Sequence, residues 1–418
     1  MTNTLIPRSE LLDPARFVDL DIGSEEVRQL VFKGLCAKWA TEPPFYILEM
    51  DVPHVIVGRF NDVQDVLRDR EGFVAIPPKL PGYERFDRFF GMAGLAGEEG
   101  EDHDRIKRLM MPLFLPKVLR KFLDRIGEIV DTMFDEVEEQ KGREFDFIND
   151  FANHLVVRVL LDGMLGLNQA QQESFAHMHD LLPLLANIGP GEAPPQEFLD
   201  AQAHVVSVSQ ELLDERRRDP REHDWITTMV EAHDRDGAMT EPEIFSILFA
   251  TLAGGLGTTS TSTTAMVVNL IRHRDQFNEV IADRGLVAGT VDESLRYQGP
   301  GFLGFGRFAT ADCEVGGLPV LAGMPVLTAL QSANYDPDVF PDPLRFDIHR
   351  NPKNILTFGA GSHMCVGNVL ARYILQIVLG RVCDRFPNID LQDPDYDPVY
   401  RGMFGEVMHV NAPMVTGN

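Results

Sequence analysis

The stretch FGAGSHMCVG, residues 358–367, decides how the rest of the chain is interpreted. Its glycines Gly359, Gly361 and Gly367 allow a tight turn and a close approach of the backbone to a flat partner. Cys365 stands where a helix is predicted to begin, and the unpaired N–H groups and positive dipole end there favour a thiolate over a thiol. Hydrogen bonds from those amides would tune the sulfur as a metal ligand. The stretch therefore predicts a metal-binding cysteine.

The same stretch is open to two other interpretations. A glycine-rich turn before a helix can bind phosphate, but the spacing matches neither G-x-G-x-x-G nor the loop that ends in Gly-Lys-Ser/Thr. A lone cysteine is more often an inert buried thiol. The cysteines Cys36, Cys313, Cys365 and Cys383 form no C-x-x-C pair, which argues against a zinc site and a thioredoxin-type motif. His363 is placed to donate to an anion, which favours a functional loop.

Composition and charge narrow the class of function. The chain has 418 residues, of which 44% are hydrophobic and 24% charged, and it is long enough to enclose a bulky cofactor. Its net charge of −26 repels phosphates, so we expect no nucleic-acid partner. The N-terminus shows no basic segment followed by an apolar one, and residues 247–257 are too few and too glycine-rich to span a bilayer. We expect a cytoplasmic protein without a membrane anchor.

Hydrophobic patterning predicts a mainly α protein with small β-sheets. Apolar residues recur every three or four positions over about 102–295, and a last helix follows Cys365 toward residue 386. A Pro/Gly-rich loop at 189–195 breaks the helical region and is expected to be mobile. No linker is evident, so we expect one domain over 1–418 with a short flexible segment at about 1–15. The predicted strands lie at 45–48, 55–58, 315, 320 and 326–327.

The pattern F-G-x-G-x-H-x-C-x-G resembles the haem-binding loop of the cytochrome P450 family, and the resemblance extends over about residues 103–404. It implies the P450 fold, a single large domain that encloses haem b. It also implies that the thiolate of Cys365 ligates the iron and that Phe358, Gly359, His363 and Gly367 belong to the haem site.

A second motif supports this resemblance. Glu293 and Arg296 are three residues apart, so they share a helix face and can pair. Most such pairs are solvated surface salt bridges, and E-x-x-R alone is weak evidence. Here it lies upstream of the cysteine and is followed by Pro343-Leu-Arg345-Phe346, as in the family. The resemblance implies a structural role, with Arg345 as a third member that donates to the same carboxylate.

Haem carries two propionates, which need cationic partners if they are buried. His103 and Lys107 are one helical turn apart and are similar to the family's H-x-x-x-R. Lysine replaces arginine here, so a bidentate clamp becomes a point contact. Arg307 and His363 would complete the set of propionate partners. The alternative for His103 is an exposed histidine on a helix.

Residues 249–259 resemble the long helix that crosses the open face of the haem. Ala253 and Gly254 are small and would leave room for dioxygen and substrate. Thr258 matches the family threonine that hydrogen-bonds dioxygen at the haem and holds water, and Thr259 follows it. The alternative is a weak, glycine- and threonine-rich stretch in a core helix.

Gly257 departs from the family, which usually has Asp or Glu before this threonine. That acid normally relays protons for O–O cleavage. Three outcomes stay open: water carries protons through the space left by Gly257, another acid substitutes, or the enzyme works differently. We expect slow or leaky oxygen-dependent turnover, which Gly257→Asp should improve.

The resemblance also suggests partners. Six Lys or Arg residues and one acid lie between His103 and Lys121; they indicate either a solvated helix face or a docking site for a ferredoxin that a ferredoxin reductase supplies with electrons. An apolar lining suits a hydrophobic small organic substrate, although most protein cores look alike. The predicted pocket residues are Ala250, Phe302, Leu303, Met403 and Phe404.

The leading hypothesis is a monooxygenase that inserts an oxygen atom from O2 into a C–H bond. The second is a haem-thiolate reductase or peroxygenase, which needs no acid relay. The third is a non-catalytic haem carrier or sensor.

Overall fold

Helices dominate the fold, as the patterning predicted. The computed structural model describes residues 9–49, 52–76, 94–181, 184, 193–221, 224–304, 306–402 and 405–417. The helices are α1 (Glu25–Leu30), α2 (Cys36–Trp39), α3 (Phe60–Arg68), α4 (Gly100–Met110), α5 (Pro116–Leu119), α6 (Leu123–Lys141), α7 (Asn153–Val156), α8 (Gln169–Asp180), α9 (Gln196–Arg218), α10 (Trp225–Asp236), α11 (Glu241–Arg272), α12 (Arg274–Ala282), α13 (Val287–Tyr297), α14 (Leu330–Ala333) and α15 (Asn368–Arg385). Shorter helical turns include Gly94–Gly97, Met111–Phe114, Arg120–Phe122, Phe147–Ala152 and Val157–Met164.

The strands are short and form small sheets. They are β1 (Phe45–Glu49), β2 (Val52–Val57), β3 (Phe73–Val74), β4 (Glu144–Asp146), β5 (Arg307–Ala309), β6 (Cys313–Val315), β7 (Leu318–Val320), β8 (Pro325–Thr328), β9 (Ile389–Leu391), β10 (Tyr400–Arg401), β11 (Met408–His409) and β12 (Pro413–Thr416). The largest described sheet has the order β1-β2-β8-β5-β3. Its β2–β8 pair is parallel, with Val55 opposite Val326, and its other pairs are antiparallel. The predicted strands are all confirmed.

The sheet β4-β12-β9 and the hairpins β6-β7 and β10-β11 complete the strands of the described residues. The predicted mobile loop at 189–195 lies mostly outside those residues. The last predicted helix is α15, which begins three residues after Cys365.

The helices α6, α11, α13 and α15 form the centre of the molecule. α15 packs against α6 and α13, and α11 packs against α13, α15 and β11. α11 is capped by Thr240, whose hydroxyl accepts from the N–H of Glu243 while the Glu243 carboxylate accepts from the N–H of Thr240. This reciprocal cap holds the first turn of a 32-residue helix. By length and composition α11 could cross a membrane, but more than half of its most apolar window is buried among other elements, as in the core helix of a soluble protein.

Candidate functional site

The cysteine loop turns tightly at two glycines with positive φ, Gly359 at 69° and Gly361 at 71°. A Cβ at Gly361 would lie 2.1 Å from the carbonyl oxygen of Leu67, so glycine is needed there for packing against the end of α3. A Cβ at Gly359 would meet no described atom within 4 Å. A flat partner can therefore approach the backbone closely at Gly359. Gly361 instead allows the loop to pack against the end of α3.

Cys365 closes this loop and begins the path into α15. Its N–H donates to the carbonyl of Phe358 at 2.9 Å, and its sulfur accepts from the backbone N–H groups of Gly367 and Asn368. Burial is the largest effect and raises the pKa of the thiol above its ordinary value. Those N–H groups and the nearby cations reduce this shift but do not reverse it. The side chain nevertheless retains accessible surface. The thiol is therefore largely surrounded by protein atoms and is still accessible to a bound partner.

Arg372 fixes the start of the loop from α15. Its guanidinium lies over the ring of Phe358, 4.6 Å from the centroid, and its Nε donates to Asp292 at 2.7 Å. A cation held over an aromatic face restrains the ring. The ring of Phe358, at the start of the cysteine loop, is thereby held in place.

The structure gathers the four predicted propionate partners. Lys107 donates from Nζ to the carbonyl of Ser362, which joins α4 to the cysteine loop. The rings of His103 and His363 lie 4.3 Å apart. Nε2 of each histidine is buried without a hydrogen-bond partner in the described part of the chain. His103 is fully buried, so it is not an exposed helix histidine.

Glu99 connects Arg307 to these residues and was not predicted. One of its oxygens lies 3.3 Å from Nε2 of His363, without the alignment of a hydrogen bond, and accepts from the N–H of Ala75. Burial raises the pKa of the Glu99 carboxyl, but His363, the Ala75 amide and the charge of Arg307 outweigh burial, and the pKa lies below its ordinary value. Burial also lowers the pKa of Arg307.

These residues fit a buried group with two carboxylates. Lys107 and Arg307 supply positive charge. Nε2 of His103 and Nε2 of His363 have no hydrogen-bond partner among the described residues. The lowered pKa of Glu99 shows that these surroundings favour an ionised carboxylate. The thiol of Cys365 has the donors that a sulfur ligand needs. Together they match the requirements of haem, an iron with a flat ring and two propionates.

The face of α11 that carries Thr258 is open. Ala250, Gly254 and Thr258 follow at four-residue spacing and share this face. A Cβ at Gly254 would meet no described atom within 4 Å, and Oγ1 of Thr258 donates to the Gly254 carbonyl at 2.6 Å. The side chain of Ala253 lies outside the described residues. Thr259 is buried, because one residue along a helix turns the side chain to another face, and so the structure does not bring it to the open face.

The space predicted beside Gly257 is filled. A Cβ there would lie 2.4 Å from Sδ of Met408 on β11, too close for even a methyl group. The Met408 side chain thus fills the space through which water was expected to replace the missing acid. Gly257→Asp therefore requires the Met408 side chain to move, and the expectation that this substitution improves turnover stays a prediction.

The structural ion pair is buried as predicted, but its third member is different. Arg296 donates to both oxygens of Glu293 at 2.7 and 2.8 Å, and both side chains are fully buried. Arg350 provides the third contact, from Nε to Glu293 at 3.2 Å. The prediction of Arg345 is wrong: its side chain is 69% exposed and lies 3.7 Å from Asp347, because its carbonyl, which accepts from Arg296 and Arg350, faces the pair instead.

The predicted pocket residues are only partly supported. Phe302 is fully buried and belongs to a hydrophobic cluster that includes Trp39, 6.5 Å away between ring centroids. Leu303 belongs to the same cluster. The N–H groups of both residues donate to the carbonyl of Gly405, and their place in a substrate pocket stays a prediction. Met403 and Phe404 lie outside the described residues.

Comparison with known proteins identifies the family. A sequence model of cytochrome P450 matches residues 36–411. The chain belongs to the cytochrome P450 family. The protein is 32% identical to the steroid C26-monooxygenase of Mycolicibacterium smegmatis over 69% of this chain and 70% of that protein. It is 30% identical to the mycinamicin IV hydroxylase/epoxidase of Micromonospora griseorubida over 81% of this chain and 84% of that protein.

Solved structures agree with this assignment. A myxobacterial cytochrome P450 in complex with myristic acid has a TM-score of 0.84 and 27% sequence identity, and the match covers 95% of this chain and 99% of that chain. The predicted P450 fold is confirmed. The curated relatives of this P450 are named as monooxygenases, hydroxylases and epoxidases, so the protein is an oxidoreductase that incorporates oxygen.

Proposed function

We propose that this P450 binds haem b through the thiolate of Cys365 and hydroxylates a hydrophobic small molecule with O2. The position of Sγ carries the proposal, because the sulfur retains accessible surface and accepts hydrogen bonds from two backbone N–H groups. When bound, haem supplies dioxygen activation and oxygen transfer, and a thiolate ligand favours O–O cleavage. The protein residues stabilise the sulfur, hold the carboxylates and manage water and protons.

The amides of Gly367 and Asn368 stabilise negative charge on the sulfur. They lie at the N-terminus of α15, where N–H groups have no partner within the helix. Charge-assisted hydrogen bonds of this kind are roughly twice as strong as neutral ones. They offset part of the effect of burial on the thiol and restrain how strongly the sulfur donates electrons.

His103, Lys107, Arg307 and His363 bind the two propionates in this proposal. Nζ of Lys107 donates one hydrogen bond to Ser362 and has two further donors. Nε2 of His103 and Nε2 of His363, which form no hydrogen bond with the described residues, provide neutral or charged donors beside it. The lysine thus joins the propionate edge to the cysteine loop, a contact that fixes both at once.

Thr258 acts as a hydrogen-bond acceptor on the open face. Its single hydroxyl proton is committed to the Gly254 carbonyl at 2.6 Å, which leaves its two lone pairs available. The hydroxyl therefore accepts from a water or from any protonated oxygen beside α11. Gly254 and Ala250, one and two turns away on the same face, leave the room that such a molecule needs.

The electron donor in this proposal is an acidic ferredoxin, reduced by its reductase. Arg105 is held by Glu243 and Asp102 and Lys107 by Ser362, so they serve the interior. Arg108, Lys117 and Arg120 are exposed, on the segment that Lys107 joins to the cysteine loop. The exposed apolar side chains Met111, Leu115 and Met364 belong to the same two segments. A basic rim around apolar groups suits a transient complex with an acidic protein.

Reversing charge on this segment is expected to slow electron delivery. Lys117→Glu combined with Arg120→Glu should lower the rate of reduction by a ferredoxin about tenfold at low salt, because electrostatic steering is lost. The difference should shrink in high salt, and reduction by dithionite should not change. Lys38→Glu, on an exposed lysine of α2, is the matched control. Equal loss in the control, or a loss that salt does not reduce, contradicts the docking site.

Isotope labelling tests the proposed reaction. Steroids, macrolides and fatty acids, the classes named with the relatives, are screened for a low- to high-spin shift of the haem-reconstituted protein. Compounds that shift the spectrum are then turned over with NADPH, ferredoxin reductase and ferredoxin under 18O2. We expect one labelled oxygen atom in each product molecule. Product that carries oxygen only from water, or that forms without O2, contradicts the proposal.

The peroxygenase or reductase alternative predicts different results from the same protein. It requires product from hydrogen peroxide alone at the ferredoxin-dependent rate, or a rapid spectral reaction with nitric oxide and NADH. The relatives named as monooxygenases do not favour it.

We also propose that the protein is located in the cytoplasm.

A further inference from the structure

Met408 occupies the volume that an acid side chain at position 257 would need. Its Sδ lies 2.4 Å from the point where a Cβ at Gly257 would stand. The two residues come from β11 and from the middle of α11, which are packed against each other. Gly257 and Met408 are thus complementary in volume: the helix has no side chain at the point where the strand places one.

A cleft of mixed polarity opens beside Met408. It has a volume of about 220 Å³. Four of its lining side chains are polar, those of Ser260, His409, Asn153 and Arg401, and three are apolar, those of Met408, Ile148 and Val410. A cleft of this size with several polar groups has room for water molecules.

The cleft reaches the turn of α11 that carries Gly257. Ser260 is one turn further along the helix, and its hydroxyl donates to the Gly257 carbonyl at 3.1 Å. His409 is 5% exposed, and its Nδ1 has no hydrogen-bond partner among the residues that the structure describes. A buried polar atom without a partner in the wall of a cleft is a site for ordered water.

We propose that Met408 is a gate between this cleft and Thr258, and that protons for the reaction enter from the cleft past the Met408 thioether instead of through an acid at 257. The inference rests on the proposed monooxygenase function. A thioether donates no hydrogen bond and accepts only weakly, so it interrupts a chain of water molecules. Its side chain has three rotatable bonds, so rotation away from Gly257 opens the path. Met408 is a positioning residue in this scheme.

A stability experiment tests the pairing without turnover. Alanine in place of glycine inside a helix normally stabilises a protein. Gly257→Ala should raise the melting temperature less in the wild-type protein than in a Met408→Ala background, because in the wild type the Met408 side chain must first move away from the new methyl group. Gly380→Ala in α15, where a Cβ would meet no described atom within 4 Å, should raise it in both backgrounds. An increase for Gly257→Ala in the wild type, equal to that in Met408→Ala, overturns the packing argument.

The gate is tested on the haem-reconstituted protein with NADPH, spinach ferredoxin and its reductase. The rate of NADPH oxidation is measured in H2O and in D2O. The solvent isotope effect should fall toward unity in Met408→Ala, because water then reaches Thr258 freely. Val410→Ala, which enlarges the same cleft at a residue that contributes none of the atoms nearest to a Cβ at Gly257, is the control and should keep the wild-type isotope effect. An unchanged isotope effect in Met408→Ala, or an equal fall in Val410→Ala, overturns the gate.

Restoring the acid provides an independent result. Gly257→Asp with Met408→Ala has space for a carboxylate and should oxidise NADPH about tenfold faster than Gly257→Asp alone, the low end of the range for a proton-transfer group. Equal rates for the two variants contradict the proposal. The reduced, carbon-monoxide-bound spectrum of each variant shows whether the haem site is intact. A missing thiolate band in the wild type would refute the proposed function, whereas an intact band with equal rates refutes only the gate.

Discussion

Cys365→Ser is expected to abolish the red-shifted thiolate band of the reduced, carbon-monoxide-bound protein and to lower O2-dependent product formation by at least ~10³-fold, the scale on which an enzyme loses a group that acts at the reacting centre. The hydroxyl of serine does not ionise at neutral pH as a thiol can, so the two amides that donate to Sγ would face a neutral oxygen. The absorption spectrum after reconstitution with haem measures the change directly.

The other cysteines provide the control for this prediction. Cys313→Ser, on the hairpin strand β6, should leave the thiolate band at its wild-type position and height. Loss of haem binding in Cys365→Ser together with normal far-UV circular dichroism supports the assignment as well, since it shows that the sulfur holds the cofactor and not the fold. If Cys365→Ser kept the thiolate band, Cys365 would not be the ligand.

The residues that sequence alone located are those whose geometry is local. The cysteine loop is a ten-residue stretch whose turns need Gly359 and Gly361. Glu293 and Arg296 pair because three residues along a helix bring them to one face, and they do so with two hydrogen bonds. Local spacing determines such contacts before any tertiary packing is known.

The contacts that sequence reasoning missed all depend on the path of distant segments. Glu99 lies beside His363 although the two residues are far apart along the chain. Met408, on a strand near the C-terminus, lies beside Gly257. The absence of an acid at 257 was visible in the sequence, but the side chain that replaced it was not. No periodicity or spacing relates position 408 to position 257, because only the packing of β11 on α11 joins them.

Arg345 shows how a motif can locate a region and still give the wrong residue. The P-x-R-F segment does pass beside the buried pair, and the carbonyl of Arg345 accepts from both Arg296 and Arg350. Since the backbone faces the pair, the side chain points to solvent. Five residues later the chain has turned back, and the Arg350 side chain reaches Glu293. The direction of a side chain in an irregular loop cannot be read from its sequence spacing.

Glu293→Ala is expected to lower the free energy of unfolding by about 3–5 kcal/mol, because it leaves the fully buried guanidinium of Arg296 without its counter-charge. Arg296 would retain its bonds to the carbonyls of Asn334 and Pro343, which hold its position but do not neutralise it. The loss also frees the N–H of Asp347, which donates to Glu293 at 3.0 Å. Urea unfolding of the haem-bound protein, followed by circular dichroism, measures the change.

The two arginines distinguish the observed ion-pair network from the one that the motif suggested. Arg350→Ala removes a largely buried contact to Glu293 and is expected to cost about 1–3 kcal/mol, as for a hydrogen bond to a charged group. Arg345→Ala removes only an exposed side chain, so its effect should stay within about 0.5 kcal/mol. The substitutions are chemically identical and lie five residues apart in the same loop, so a general disturbance of the loop would affect both equally. Equal costs would therefore contradict the assignment of Arg350 as the third member, whereas the expected order follows only if its side chain, and not that of Arg345, shares the carboxylate with Arg296.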